Sequence, residues 1–310
     1  MGFRYNPTVR VVLIGGSGFI GSAMVQAWAS HHILTVLTRH PESTRKRLPE
    51  TVQVVEWNEH TQGGWVQTLA ESEVVINLAG ETIAQRWTPE VKQRLFTSRV
   101  DTTRLLVEAM RELPHRPPTL LQASAIGIYD QHHETVADED SPPGMGFLAE
   151  LGTAWEASAR PAESLGIRVC YMRFGIVLGA GGGALERMLT PFKLGVGGPI
   201  GSGRQWLSWI HIDDVVGGAQ FLMERSDLSG AFNFTAPHPV TMAEFARTLG
   251  RLLLRPSFVR TPAFVLRLMF GEMAESLLMG SRVLPKRLME AGYRFRYPVL
   301  ENALRAVLQA

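Results

Sequence analysis

A chain of 310 residues, 45% hydrophobic and 19% charged, can bury one large core or two modest ones. Its formal net charge of +2 gives no electrostatic case for nucleic acid or an anionic membrane as the main partner. A single cysteine, Cys170, builds neither a disulfide framework nor a zinc site, so the expectation is a cytoplasmic protein acting on a small molecule, without metal, nucleic acid or membrane, and with a homodimer left open.

The first signal in chain order is an apolar run at 11–14, followed by Gly15-Gly16-Ser17-Gly18-Phe19-Ile20-Gly21 and a helix-like stretch at 22–28. Gly15, Gly18 and Gly21 fall at the spacing of a dinucleotide fingerprint, which needs a sharp turn, open approach of backbone to pyrophosphate and close helix-on-strand packing. Loop amides and the positive helix end then face the phosphates. A second strand at 33–37 ends in Thr38-Arg39. An NAD-preferring site carries an acid at this strand end to accept from the ribose 2′-hydroxyl; an arginine there favours a 2′-phosphate, hence NADP(H). The alternative for Arg39 is a solvated place in the basic loop with Arg45, Lys46 and Arg47.

Strands three and four are expected at 52–57 and 73–78, the fourth ending in Asn77-Leu78-Ala79-Gly80, whose small residues leave room for a cofactor at the sheet edge. Thr88-Pro89-Glu90 starts a long helix through cap and proline chemistry, continued by Val91, Leu95, Leu106 and Ala109. Arg99 falls one turn beyond Leu95 on the same face, either reaching an anion at the sheet edge or lying exposed beside Asp101. A fifth strand at 119–123 ends at Ser124, whose hydroxyl either touches substrate or nicotinamide or belongs to a turn. A helix over 147–164, interrupted at Pro161, leads to a sixth strand at 168–174. Strands alternating with helices specify an α/β fold, a Rossmann doubly wound parallel sheet.

Beyond 178 the texture becomes glycine-rich, suiting a cleft wall or plain turns. Arg204, Gln205, Trp206 and Trp209 offer cation, amide and ring faces to a substrate; His211 and Asp214 open a helix to 224, as substrate contacts or caps. A strand at 231–235 and helices over 241–254, 262–279, 285–290 and 299–308 complete the pattern. Residues 1–178, rejoined by 206–235, form the Rossmann domain; 179–205 and 236–310 form a smaller, mostly helical C-terminal lobe. No Gly-Lys-Ser/Thr and no Gly-x-Ser-x-Gly occurs, which removes Walker-type phosphate loops and serine hydrolases.

Together with Ser98-Arg99, Ser124-Ala-Ile-Gly-Ile-Tyr129, Trp155-Glu156, Ser208-Trp-Ile-His211, Asn233 and Arg255-Pro256, these motifs make the sequence resemble the extended short-chain dehydrogenase/reductase superfamily, within it the epimerase-family proteins, over nearly its whole length. The resemblance implies contacts to NADP(H) from Gly15, Gly16, Ser17, Gly18, Phe19, Ile20, Gly21, Thr38, Arg39, Leu78, Ala79, Gly80, Arg99 and Ser124, and a helical extension starting near Arg255-Pro256. Most active members use a Tyr-x-x-x-Lys pair, in which the cation lowers the tyrosine from about 10 so that it exchanges a proton near neutrality. The positions four after Tyr5, Tyr129, Tyr171, Tyr293 and Tyr297 are Val9, His133, Gly175, Tyr297 and Glu301, and Leu148 and Gly152 stand where the pair belongs.

Ser124 is then left to polarise the reacting oxygen, with Tyr129 as candidate proton donor, His132 and His133 in a polar loop beyond it, and Arg204, Gln205, Trp209 and His211 as candidate substrate contacts. The expected function is that of an NADP(H)-dependent oxidoreductase or epimerase-like enzyme on a small polar substrate such as a nucleotide sugar. The missing pair motivates an alternative: a non-catalytic NADP(H)-binding regulatory or redox-sensing protein linked to cell division.

Overall fold

Apolar side chains on consecutive strand residues require cover on both faces of a sheet, which parallel strands obtain from their crossover helices. The computed structural model describes residues 8–58, 63–130 and 136–309. Numbered in chain order, the main sheet contains strands Arg10–Ile14, Ile33–Thr38, Gln53–Glu56, Val74–Asn77, Thr119–Ala125, Arg168–Phe174 and Gly230–Phe234, lying in the spatial order 3-2-1-4-5-6-7. All six pairings are parallel. The order reverses between strands one and four, where Ile14 pairs with Asn77, so the glycine loop and residues 78–80 leave the sheet side by side. Such a switch point opens a crevice at the carboxyl ends of the strands.

Alternation sorts the first strand between the two faces. Val11 and Leu13 pack with Met24, Trp28, Met172 and Phe234; Val12 and Ile14 pack with Leu106, Met110, Leu120 and Val169. The helix Pro89–Glu112 begins as its sequence demands, with the Thr88 hydroxyl accepting from the Val91 amide at 3.3 Å. The strand expected over 231–235 is the seventh member of the sheet, added in parallel to Arg168–Phe174.

Two helices differ from expectation. The one expected over 147–164 is α-helical for Phe147–Ala159 and continues as a 3-10 helix over Arg160–Leu165, because Pro161 has no amide proton for the α-ladder. The one expected over 262–279 is two, Ala263–Phe270 and Met273–Leu278. Gly271, at φ 60°, makes the break, and the second helix turns Met273 and Ala274 inward.

A further core is formed by Leu178, Leu185, Phe192, Trp209, Phe245 and Leu304, under the C-terminal helices Met242–Leu253 and Leu300–Gln309. Arg282–Val283 pairs in parallel with Val136–Ala137, and Trp87 bridges to Gly271, so the final third of the chain is tied across the sheet's carboxyl edge. No helix among the described residues is long and apolar enough to cross a membrane.

Candidate functional site

The glycine loop is built by contacts within its own turn. Gly15 has φ 80°, and its carbonyl accepts from the Gly18 amide at 3.0 Å. A Cβ on Gly15 would lie 3.0 Å from the Leu78 carbonyl, and one on Gly21 only 2.4 Å from the Gly15 oxygen. Gly18 is exposed and precedes the helix Phe19–Trp28, whose first turn carries no acid. The amides at this helix end are therefore presented to an anion with no acid in the helix's own first turn, while Asp213 lines the same cavity. The Phe19 ring rests on the backbone of Gly182 and Gly183, which binds the glycine-rich segment to the first helix.

Around this turn, buried Asn77 donates to Thr103 Oγ1 (3.0 Å) and Gln122 Oε1 (2.9 Å) and accepts from the Ala79 amide (3.1 Å), fixing the path of Leu78 and Ala79. Arg39 stands exposed at the tip of the second strand. The Thr38 hydroxyl is buried, 3.2 Å from Thr44 Oγ1 and accepting from the His40 amide, so its side chain holds the following turn together. Arg47, from the same basic loop, shares a cavity of about 620 Å³ with Ser17, Gly18, His211 and Tyr297.

Arg99 is buried and occupies the sheet edge. Its Nη1 donates to the Leu95 carbonyl (3.1 Å), its Nη2 to the Glu81 carbonyl (2.8 Å), and its guanidinium lies 5.1 Å from the Trp155 ring centre. Burial pulls its pKa down to about 10, against the Glu81 charge. Asp101, the alternative partner, accepts from Arg104 instead. A Cβ on Gly80 would sit 3.1 Å from the Arg99 guanidinium carbon, so that glycine makes room for the arginine.

Arg99 leads into a second cavity, of about 350 Å³, walled by Leu148, Leu151, Gly152, Trp155 and Leu277. Leu148 and Gly152, the positions of the missing tyrosine and lysine, both line it. Gly152 is packed on the Ile128 side chain, 3.2 Å from where a Cβ would be, so any larger residue there must displace Ile128 by a few tenths of an ångström.

Neither Ser124 nor Tyr129 lines this cleft. Ser124, expected to polarise a substrate oxygen or touch the cofactor, is 1% exposed and donates to Glu156 Oε1 at 2.6 Å. Glu156 takes Arg173 in a fork, Nε to Oε1 at 2.7 Å and Nη2 to Oε2 at 2.8 Å, and Arg173 Nη1 donates to the Tyr129 oxygen at 2.7 Å. Tyr129 in turn donates to Asn233 Oδ1 at 2.8 Å. Burial raises Tyr129 to about 12, with Arg173 and Asn233 opposing, the reverse of what a proton donor near neutrality needs. These side chains form a closed network beneath the cleft. His132 and His133 lie outside the described residues.

Of the expected substrate contacts, Arg204, Gln205 and Trp209 do not line this cleft, and His211 lines the cavity beside the glycine turn. Trp209 is fully buried in the C-terminal core and donates to the His238 carbonyl, Gln205 donates to the Ile200 and Leu277 carbonyls, and Arg204 is exposed and does not line the cleft. Trp206 and Ser208 line the cleft in their place, since alternate residues of an extended segment face opposite ways. His211 caps the helix Ile212–Glu224, its Nδ1 accepting from the Asp213 amide at 3.1 Å; buried Asp214 accepts from the Arg296 and Tyr297 amides.

The His211 cap predicts a pH dependence. Burial holds its imidazole below the ordinary 6.5, with Asp213 opposing and Arg296 reinforcing, and burial also lowers His32 against the hydrogen bond it donates to Gln220 Oε1. With the folded pKa below the unfolded one, the unfolded chain takes up the proton first, so this stability is complete above about pH 6.5 and lost on acidification. His211→Asn keeps an acceptor for the Asp213 amide; urea unfolding at about pH 7 and 5 is expected to show a smaller loss than the parent. An unchanged loss would show that the ring does not titrate in this way.

The family model described as the NAD dependent epimerase/dehydratase family matches residues 11–234. The chain belongs to this family. A second model, a domain of unknown function, matches residues 261–307, the segment tied across the epimerase-family sheet. The epimerase family protein SDR39U1 of Mus musculus is 41% identical over 307 residues, covering 97% of this chain and 100% of that protein. The family protein YfhF of Bacillus subtilis is 38% identical, covering 96% and 97%. Among solved structures, human SDR39U1, described as being with NADPH, aligns with a TM-score of 0.84 at 36% identity, covering 97% of this chain and 99% of that one. A nucleoside-diphosphate sugar epimerase from Corynebacterium glutamicum aligns at 0.75 and 28%, covering 99% and 59%.

Proposed function

We propose that this chain binds NADP(H) and acts as an oxidoreductase or epimerase-like enzyme on a small molecule held in the cleft. The observation that carries the reading is the adjacency of glycine turn and cleft at the switch point, joined by Arg99 over Gly80. The cradle fits a dinucleotide: Gly15 and Gly21 close a turn whose interior admits no Cβ, while Gly18 leaves the helix end open. The structure of human SDR39U1 with NADPH supports the same reading.

The nicotinamide, when bound, supplies or takes up the hydride. The chain's own part is to receive the pyrophosphate on the amides of 16–19, hold the 2′-phosphate with Arg39, and offer the Arg99 and Trp155 N–H groups to the cleft. Glu156, Arg173, Ser124 and Tyr129 keep its floor rigid.

A charge-assisted hydrogen bond is worth roughly 1.5–3 kcal/mol, so Arg39→Ala is expected to weaken NADPH about tenfold to 150-fold with little change for NADH, measured by calorimetry. Equal losses for the two would remove Arg39 from the 2′-phosphate. The second reading, a protein that holds NADP(H) without turnover, is favoured by the closed Ser124–Glu156–Arg173–Tyr129 network, in which neither Ser124 nor Tyr129 is left to face the cleft. Oxidation of bound NADPH on adding carbonyl compounds decides for the enzyme.

A further inference from the structure

The cleft offers an incoming molecule an unusual balance of groups. Its wall is mostly apolar, with Leu148, Leu151, Leu277 and Met279 around the ring of Trp155. The serine hydroxyls on its surface are committed to the backbone: Ser208 donates to the Ser281 carbonyl, Ser276 to the Met273 carbonyl, and Ser281 to the Asp130 carbonyl. Two of its lining side chains, Arg99 and Trp155, are hydrogen-bond donors and cannot accept. Trp155 is 7% exposed, and its indole Nε1 is buried without a hydrogen-bond partner among the described residues. Beside it lies Arg99, 9% exposed, whose two hydrogen bonds both go to backbone carbonyls and neither to a carboxylate. The Glu81 carboxylate is turned instead to Gln85 and Arg94.

A buried polar group without a partner, next to a buried cation whose hydrogen bonds go to carbonyls and not to a carboxylate, marks where a ligand completes the bonding. Sugars present many hydroxyls, each needing both a donor and an acceptor. An apolar wall with two donors satisfies few of them. A carboxylate is acceptor-only, matches the guanidinium fork and leaves one lone pair for the indole N–H.

We propose that the cleft takes an apolar monocarboxylate, its head group on Arg99 and Trp155 Nε1 and its body against Leu148, Leu151 and Leu277, rather than a nucleotide sugar. This rests on the cleft being the substrate side of an NADP(H) site.

The test is calorimetric titration of the NADPH-saturated protein with 4-phenylbutanoate, 4-phenyl-1-butanol and UDP-glucose. The acid is expected to bind at least about tenfold more tightly than the alcohol, and UDP-glucose more weakly than either. Arg99→Met is expected to lower acid affinity at least about tenfold and to change alcohol affinity less than about twofold; Trp155→Phe, which keeps an aromatic ring but loses the N–H, is expected to lower acid affinity about threefold or more. Equal affinity for acid and alcohol, preference for UDP-glucose, or a loss of NADPH affinity in Arg99→Met as large as that of the acid overturns the proposal. The comparison in the parent protein depends on no variant folding. Absence of NADPH binding overturns the cofactor reading alone, since acid and alcohol are then compared on the protein by itself.

Discussion

Glu156→Ala is expected to lower the unfolding free energy by about 3–5 kcal/mol, the cost of breaking a buried ion pair from one side. The Arg173 and Glu156 side chains are only 11% and 10% exposed, so water cannot replace the lost carboxylate. Arg173 would keep its bond to the Tyr129 oxygen but lose both bonds to Glu156, and Ser124 would lose its acceptor. The charge of Glu156 also holds the Arg173 pKa above its ordinary value although burial pulls it down, so its removal exposes the full desolvation cost of the guanidinium. Replacing both partners, as Glu156→Ala with Arg173→Met, removes the stranded charge and is expected to cost less than the sum of the two single changes. Urea unfolding at unchanged m-value measures this. A loss below about 1 kcal/mol for the single change would show that solvent reaches the pair.

The glycine turn was legible because its reasons are local: a positive φ at Gly15 and backbone contact at Gly21 are demands that neighbouring residues impose. The parallel sheet was legible for a similar reason, since doubly covered strands read as apolar runs. The substrate contacts were not. Arg204, Gln205, Trp209 and His211 carry suitable chemistry, whereas their direction is set by what covers the segment. Leu207 and Trp209 face the C-terminal core, which leaves Trp206 and Ser208 for the cleft. The alternation of Leu207 and Trp209 with Ser208 carried that signal in part. Glu156 and Arg173 read separately as a helical acid and a charge in an otherwise apolar strand; only the fold brings them together beneath Ser124.

The positions of the absent tyrosine and lysine, Leu148 and Gly152, have packing roles of their own. Gly152 lets the helix Phe147–Ala159 settle on Ile128, Leu148 gives the cleft an apolar wall, and Ser124 turns to a carboxylate one helical position beyond Trp155. A tyrosine introduced at 148 alone would meet no ammonium group, since position 152 is glycine. A lysine introduced at 152 must also displace the Ile128 side chain, and Arg99 and Trp155 at the cleft are donors that bind an oxygen rather than groups that release a proton near neutrality.

Gly21→Ala and Gly18→Ala separate packing from ligand approach at the turn. A methyl on Gly21 would lie 2.4 Å from the Gly15 oxygen and 2.6 Å from the Gly16 Cα, with backbone on every near side, so the turn itself must open. Overpacking of this kind costs about 1–3 kcal/mol, and the displaced carbonyl is the one that accepts from Gly18. Stability and NADPH affinity are therefore expected to fall together. Gly18 has φ −79° and ψ 178°, which alanine adopts freely, and its nearest neighbour would be 3.3 Å from the new Cβ. Gly18→Ala is expected to stay within about 0.5 kcal/mol of the parent in urea unfolding. Its methyl nevertheless stands where the pyrophosphate must approach the helix end, so calorimetry is expected to show NADPH bound at least about tenfold more weakly. Parent-like NADPH affinity in Gly18→Ala would mean that the phosphates do not cross the turn at this glycine, and a dinucleotide lying with its pyrophosphate on the amides of 16–19 would have to be abandoned.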